Sequence, residues 1–130
     1  MSERTPLRPG LFRIGPNGPA LLGSRCGNCG HIEFPVRTVC VSCRRQEPDE
    51  IELGPGGELL CETTLYMRTA HFPVGHVVGY VALHQGPRVF SPLRPVDGRP
   101  LRVGMGLKLE IVPLWREGSK EVLGYRFYAP

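Results

Sequence analysis

Two closely spaced cysteine pairs constrain this chain more than any other feature of its sequence. Two residues separate Cys26 from Cys29 and Cys40 from Cys43, and ten residues lie between the two pairs. Each C-x-x-C segment can form a tight turn, and four thiolates brought together make a tetrahedral zinc site with Zn–S distances of about 2.3 Å. Such a closed site has no open position for catalysis. The spacing therefore predicts a structural zinc ribbon over residues 21–53.

Other uses of the four cysteines fit the sequence less well. Two disulfides are disfavoured in the cytoplasm, where thiols stay reduced. A thioredoxin-like redox C-x-x-C occurs beside a βαβ pattern, which this sequence lacks. Iron is chemically possible in a four-thiolate site, but the segment between the pairs is far shorter than in rubredoxins. Zinc is therefore the predicted metal, with iron as the alternative.

Composition and periodicity predict β-structure after the cysteines. The 17 Gly and 14 Pro among 130 residues favour turns over long helices, since Gly adopts positive φ and Pro lacks a backbone donor. Five segments show strand patterns, separated by turn-forming residues. They are Glu58–Arg68, His76–Gln85, Arg88–Leu93, Gly106–Trp115 and Glu121–Ala129. Five short strands without a long helix predict a small barrel.

Composition also divides the chain into three pieces. Residues 1–20 contain seven Gly or Pro residues and predict an extended N-terminal arm, either frayed or docked on a partner. Residues 21–53 form the predicted ribbon and residues 54–130 the predicted barrel. The apolar side chains with which the arm could dock are Leu7, Leu11, Phe12 and Ile14.

Charge and hydropathy limit the classes of partner. The net charge is +4, and 14 of the 16 basic residues are Arg, which fits either a GC-rich genome or an anionic partner. These residues are scattered rather than concentrated in the stripe typical of nucleic-acid binders. No apolar stretch approaches the ~20 residues of a membrane span, and no signal-peptide pattern opens the sequence. A cytoplasmic protein without a membrane partner is predicted.

No residue set predicts catalysis by this chain alone. His71 and His76 frame a loop between the first two barrel segments, but no nucleophile or carboxylate stands near them in sequence as a relay partner. This loop is therefore predicted to recognise a partner or ligand. Cys61 is predicted to be a buried small side chain on the same face as Leu59, and His31 a polar cap over a thiolate.

Further segments stand in an order and spacing typical of one family. They are Leu22 before the first cysteine pair, Phe34-Pro35-x-Arg37, Gly57, Val78-x-Tyr80-Val81-Ala82-Leu83, Leu101-Arg102-Val103-Gly104-Met105 and Tyr125-Arg126-Phe127-Tyr128-Ala129-Pro130. With the cysteines, they resemble the DUF35 family over about residues 21–130. The resemblance implies a mainly β fold, in which an N-terminal rubredoxin-like zinc ribbon precedes a five-stranded OB-fold barrel.

The resemblance also implies a function and a partner. DUF35 proteins accompany thiolase-superfamily enzymes, so a non-catalytic zinc-binding subunit of a hetero-oligomer that acts on acyl-CoA is expected. It would dock to the catalytic subunit, with acyl-CoA at or near the shared interface, and help shape the substrate passage. Cys26, Cys29, Cys40 and Cys43 carry over as metal ligands, and no catalytic residue carries over. Candidates for partner contact or substrate passage are His71, Phe72, His76, Phe34 and Trp115, with Tyr80 as a further aromatic anchor.

Two other functions remain open from the sequence. Zinc ribbons and OB folds both occur in proteins that bind single-stranded nucleic acid. The middle barrel segment, however, offers Val78, Tyr80 and Ala82 rather than several spaced aromatic residues. A hydrolase or thioesterase that uses His71 or His76 is the other alternative, and it lacks an evident nucleophile.

Overall fold

The structure is a computed structural model that describes residues 3–6, 10–16, 18–67, 72, 74–95 and 100–130, with the backbone alone for residues 3–6 and 117. These ranges contain β-strands and no helix, and therefore no helix that could cross a membrane. The strands are β1 Glu3–Pro6, β2 Phe12–Gly15, β3 Gly18–Arg25, β4 Ile32–Glu33, β5 Asp49–Leu53, β6 Gly56–Leu65, β7 His76–Leu83, β8 Arg88–Arg94, β9 Gly106–Glu117 and β10 Lys120–Tyr128.

Strands β6 to β10 close into a five-stranded barrel. Their order is β6-β7-β8-β10-β9, and β9 pairs with β6 to close the ring. Neighbouring strands are antiparallel, except that β8 and β10 are parallel where Leu93 lies opposite Phe127. A five-stranded, closed Greek-key arrangement of this kind is an OB fold. The predicted OB-fold barrel is confirmed.

Strands β2 to β5 form a second sheet, the zinc ribbon. Its centre is β3, which pairs with β2 and β4 and, over its whole second half, with β5. The pairing of Leu21 with Leu53 and of Arg25 with Asp49 holds the two ends of the cysteine-containing segment together. The predicted ribbon fold is therefore present, and the cysteines lie on the turns that extend from this sheet.

Residues 1–20, predicted to form an extended arm, contain strands in the structure. Strand β1 runs parallel to the start of β10, and β2 forms a hairpin with β3. Gly18, with φ of 102°, adopts the left-handed conformation that this tight turn requires. The proline content does not prevent pairing, because Pro is tolerated at strand ends and on edge strands.

The side chains proposed to dock the arm have different environments. Leu11 is buried, and Phe12 packs against the hydrophobic core, so both contribute to the fold of this chain. Ile14 is 66% exposed, and Leu7 lies outside the described residues. Ile14 alone among the three described side chains remains accessible for a partner.

One hydrophobic core joins the ribbon to the barrel. Leu21 and Leu53 of the ribbon are fully buried in the same cluster as Leu59, Val81 and Phe127 of the barrel. Burial of this kind stabilises each side chain by about 1.5–3 kcal/mol relative to exposure. The ribbon is therefore held both by its metal site and by apolar contacts with the barrel.

A β-bulge in β6 changes which of its side chains face the core. Leu59 lies opposite Val81 and Cys61 lies opposite Tyr80, so Leu60 is an extra residue in this strand. The extra residue reverses the alternation, and Cys61 is exposed on the outer face. The prediction that Cys61 is buried is wrong, because it assumed unbroken alternation along the strand.

Candidate functional site

The four cysteines lie on two turns built in the same way. Gly30 donates its backbone N–H to the carbonyl of Cys26 at 2.9 Å, and Arg44 donates to that of Cys40 at 2.8 Å. Gly30 and Arg44 both adopt positive φ, 77° and 65°, at the fourth residue after the first cysteine. This left-handed residue follows the second cysteine and closes each turn, although Arg adopts such φ values less readily than Gly.

The sulfur atoms form a cluster of the size that a metal ion requires. All four Sγ atoms lie within 4.8 Å of one another, and the distances Cys26–Cys43 and Cys29–Cys40 are 3.5 and 3.6 Å. Tetrahedral zinc with Zn–S bonds of about 2.3 Å separates its sulfurs by about 3.8 Å. The four cysteines are thus positioned to bind a metal ion, consistent with a structural zinc site.

Backbone N–H groups bias the cysteines toward the thiolate form that a metal needs. The N–H of Cys29 lowers the pKa of Cys26, and the N–H of Arg45 lowers the pKa of Cys43 to about 6. The N–H of His31 lowers the pKa of Cys29, but partial desolvation of this thiol and its hydrogen bonds with the three other cysteines raise the pKa to about 11. Metal binding must therefore displace at least the Cys29 proton.

The polar side chain that serves the cluster is Asn28, not His31. The Nδ2 of Asn28 lies 3.6 Å from Cys43 Sγ, and its backbone N lies 3.4 Å from Cys26 Sγ. The imidazole of His31 instead lies 3.4 Å from a carboxylate oxygen of Glu33. The prediction of a histidine cap over a thiolate is wrong, because His31 supports the site through its backbone.

A second set of predicted residues meets at one end of the barrel. The Phe72 ring stacks on His76, with ring centres 5.0 Å apart and planes inclined by 23°. Trp115 meets Phe72 edge-on at 5.9 Å and 78°. His71 lies outside the described residues. A cavity of about 250 Å³ is lined by Phe72 and His76, so two of the five residues predicted for partner contact or substrate passage adjoin one cavity, and Trp115 contacts one of them.

Phe34, the remaining candidate of that group, lies elsewhere and packs within the chain. Its ring contacts Tyr125 of β10 edge-on, with ring centres 5.7 Å apart. It is half-buried and also touches the shared hydrophobic core. Phe34 thus connects ribbon and barrel, and its contact with a partner stays a prediction.

The outer face of the barrel carries an aromatic pair of which only one member was predicted. Tyr80 is 46% exposed on β7, and Phe90, directly opposite on β8, is 52% exposed, with ring centres 5.3 Å apart. Phe90 was missed, although the turn at Gln85-Gly86-Pro87 fixes the hairpin register. Counting outward from that turn places positions 80 and 90 opposite each other.

Comparison with known proteins matches the cysteine region and most of the chain. Residues 19–49 match the family model described as the ChsH2, rubredoxin-like zinc ribbon domain. A DUF35 domain-containing scaffold protein of Methanocaldococcus jannaschii is 32% identical over 114 residues, which cover 82% of this chain and 79% of that protein. The benzoylsuccinyl-CoA thiolase subunit BbsA of Thauera aromatica is 29% identical over 92 residues. The match covers 69% of this chain and 64% of that subunit.

A solved structure shares the fold. A chain of the Ltp2-ChsH2(DUF35) aldolase superimposes with a TM-score of 0.70 at 20% sequence identity, covering 85% of this chain and 84% of that one. At this identity the likeness concerns the arrangement of strands, which extends over both ribbon and barrel.

Proposed function

Because this chain belongs to the DUF35 family of zinc-ribbon and OB-fold proteins, we propose that it is a non-catalytic subunit that docks to a thiolase-superfamily enzyme. Two similar proteins support the proposal, because each is part of an enzyme. One is a subunit of a thiolase, and the other is a chain of an aldolase. The four-cysteine cluster is consistent with a scaffolding role, since a metal ion with four protein ligands has no position left for a substrate.

The observation that carries this proposal is a set of large apolar side chains exposed on the barrel. Tyr80 and Phe90 form a contiguous pair, and the ends of the β6–β7 loop expose Tyr66, Met67 and Val74 by 77%, 73% and 56%. Exposed aromatic and methionine side chains are enriched at the centres of protein interfaces. A catalytic subunit that covers them is the partner proposed here.

The finer part of the proposal concerns the substrate. Acyl-CoA would lie at or near the shared interface, and the end of the barrel with Phe72, His76 and Trp115 would help shape the passage to the catalytic subunit. The support for this is that Phe72 and His76 line a cavity and that Trp115 contacts Phe72. The complex is proposed to be cytoplasmic.

Co-expression with a thiolase-superfamily protein of the same organism tests the docking function. We expect the two proteins to elute as one complex, and the isolated chain to show no thioester turnover. The double variant Tyr80→Ser/Phe90→Ser should weaken the complex at least about tenfold, as central aromatic anchors do. Val41→Ser, which alters an exposed apolar residue of the ribbon, is the matched control.

Two outcomes of this experiment would count against the proposal. Separate elution of the two wild-type proteins would remove the partner, and thioester turnover by the isolated chain would remove the non-catalytic role. Zinc content and circular dichroism of the double variant establish that it is folded before its binding is compared.

A second candidate function is the binding of single-stranded nucleic acid. The observation that favours it is the Tyr80–Phe90 pair, since OB folds stack bases on aromatic side chains of this sheet face. Binding of a labelled oligonucleotide at physiological salt, with affinity that falls steeply as salt rises, would support it. Failure of Tyr80→Ser/Phe90→Ser to weaken such binding would argue against it.

A further inference from the structure

The cavity beside Phe72 and His76 lies where the barrel wall opens. Strands β8 and β10 pair only from Leu93 and Phe127 onward, and the residue before each of these, Pro92 and Arg126, lines the cavity. Pro has no backbone N–H with which to extend the ladder. The gap therefore follows from the sequence of β8.

Arg126 lines one end of this cavity and belongs to a group of side chains with more positive than negative charge. Arg94 donates from Nε to Glu110 at 2.8 Å, and Arg126 donates from Nη2 to both oxygens of the same carboxylate at 3.3 Å. One carboxylate thus serves two guanidinium groups, which leaves one positive charge uncompensated within this group. The Nε of Arg126 is buried and, among the described residues, has no hydrogen-bond partner. An anionic group is the complement of this end.

The remaining walls of the cavity are mainly hydrocarbon, with His76 as a polar side chain among them. Phe72, Val77, Leu93 and Leu114 contribute hydrocarbon surface, and His76 is stacked flat on Phe72. Free phosphate would place its oxygens against these walls without hydrogen bonds, which is unfavourable. A volume of about 250 Å³ lies below the roughly 300–1,000 Å³ of sites for drug-sized ligands. The occupant is therefore small, with one anionic end and one hydrocarbon end.

We propose that this cavity binds a small organic monocarboxylate. Its carboxylate pairs with Arg126, where a planar guanidinium matches a carboxylate in geometry as well as charge. Its hydrocarbon body packs against Phe72, Val77 and Leu114. This site belongs to the isolated chain, so it can be tested whether or not the docking function holds.

Cyclohexanecarboxylate and its neutral counterpart cyclohexylmethanol are suitable probes. With ¹³C-methyl-labelled protein, we expect saturable shifts of the Val77, Leu93 and Leu114 methyl signals, with a dissociation constant for the acid on the order of 1 mM, as suits so few ligand atoms. The alcohol should bind at least about tenfold more weakly, because it cannot form the charge-assisted hydrogen bonds.

Variants separate the anionic end from the apolar walls. Arg126→Gln should weaken the acid at least about tenfold and leave the alcohol unchanged, since only the charged partner is removed. Arg88→Gln, an exposed arginine of β8 outside the cavity, should change neither.

Each contrary result overturns the proposal. These results are equal affinity of wild-type protein for acid and alcohol, shifts confined to methyl groups outside the cavity, or no saturable shift with either probe. The wild-type comparison of the two probes decides the matter even where Arg126→Gln does not fold.

Discussion

In each C-x-x-C turn, the two cysteines differ in solvent exposure. The first cysteine of each pair, Cys26 or Cys40, is 3% or 2% exposed, whereas Cys29 and Cys43 are exposed. The inner sulfurs thus face the ribbon sheet, and the outer sulfurs face solvent at the tip. Replacement of an inner cysteine by serine would leave the metal with an incomplete set of thiolate ligands. It would also place a polar hydroxyl in a buried position.

Cys40→Ser should lose the metal, because three thiolates and a buried hydroxyl form a much weaker zinc site. Elemental analysis of the purified variant should show less than about a tenth of the wild-type zinc content, given the tight binding of complete four-thiolate sites. Cys61→Ser removes an exposed thiol outside the cluster and should keep the full content. Equal zinc in Cys40→Ser and wild type would contradict the ligand assignment.

Single residues differ in how far the sequence could predict them. The metal ligands followed from spacing alone, because a C-x-x-C turn is a local structure. The exposure of Cys61 did not, because one extra residue opposite Val81 and Tyr80 in β6 reverses the side-chain pattern. The supporting role of Asn28 also could not be predicted, because it depends on the approach of Cys43 from the other turn.

At the scale of elements, the five barrel strands begin and end within three residues of their predicted limits. Alternating apolar residues and strong turns made these strands visible. The strands before residue 21 were not predicted, because the Gly and Pro content there conceals them and because the partner of β1 lies more than 100 residues away. Glycine within a strand is similarly uninformative until its neighbour across the sheet is known.

Gly79 illustrates this dependence and gives a testable consequence. A Cβ at this position of β7 would meet the backbone carbonyl of Cys61 and lie 2.8 Å from the Leu93 side chain. Gly79→Ala should therefore lower the free energy of unfolding by about 1–3 kcal/mol, the usual penalty of overpacking. Urea denaturation measures this difference.

The control for that measurement is Gly106→Ala, at the start of β9. A Cβ at Gly106 would meet nothing within 4 Å. The free energy of unfolding of Gly106→Ala should stay unchanged or rise by up to about 1 kcal/mol, since Ala restricts the conformations of the unfolded chain. A Gly79→Ala variant as stable as Gly106→Ala would show that the bulge beside Cys61 can move at little cost.

At the scale of the whole molecule, ribbon and barrel unfold together if their shared core dominates their stability. The sequence predicts a boundary near residue 54, at Gly54-Pro55-Gly56-Gly57. It did not reveal that Leu21 and Leu53 are buried against the barrel. A core is defined by contacts between distant residues, and alternation identifies which side chains are buried but not what they pack against.

Leu53→Ala tests this coupling. Loss of a fully buried leucine should lower the free energy of unfolding by about 2–5 kcal/mol. Fluorescence of Trp115 in the barrel and release of metal from the ribbon should shift together to lower temperature. Val41→Ala, at a 57% exposed ribbon position, should stay within about 0.5 kcal/mol of wild type. Separate transitions for the two signals would show that the units unfold independently.

The parallel pairing of β1 with β10 has a consequence for how the chain is made. Position 3 lies beside position 120, so the first strand leaves the ribosome long before its neighbour exists. Contacts that are so distant in sequence form late and slowly. Until synthesis reaches the last strand, β1 has an unpaired backbone edge that other nascent chains can bind. The pairing of β1 therefore waits until β10 has been synthesised.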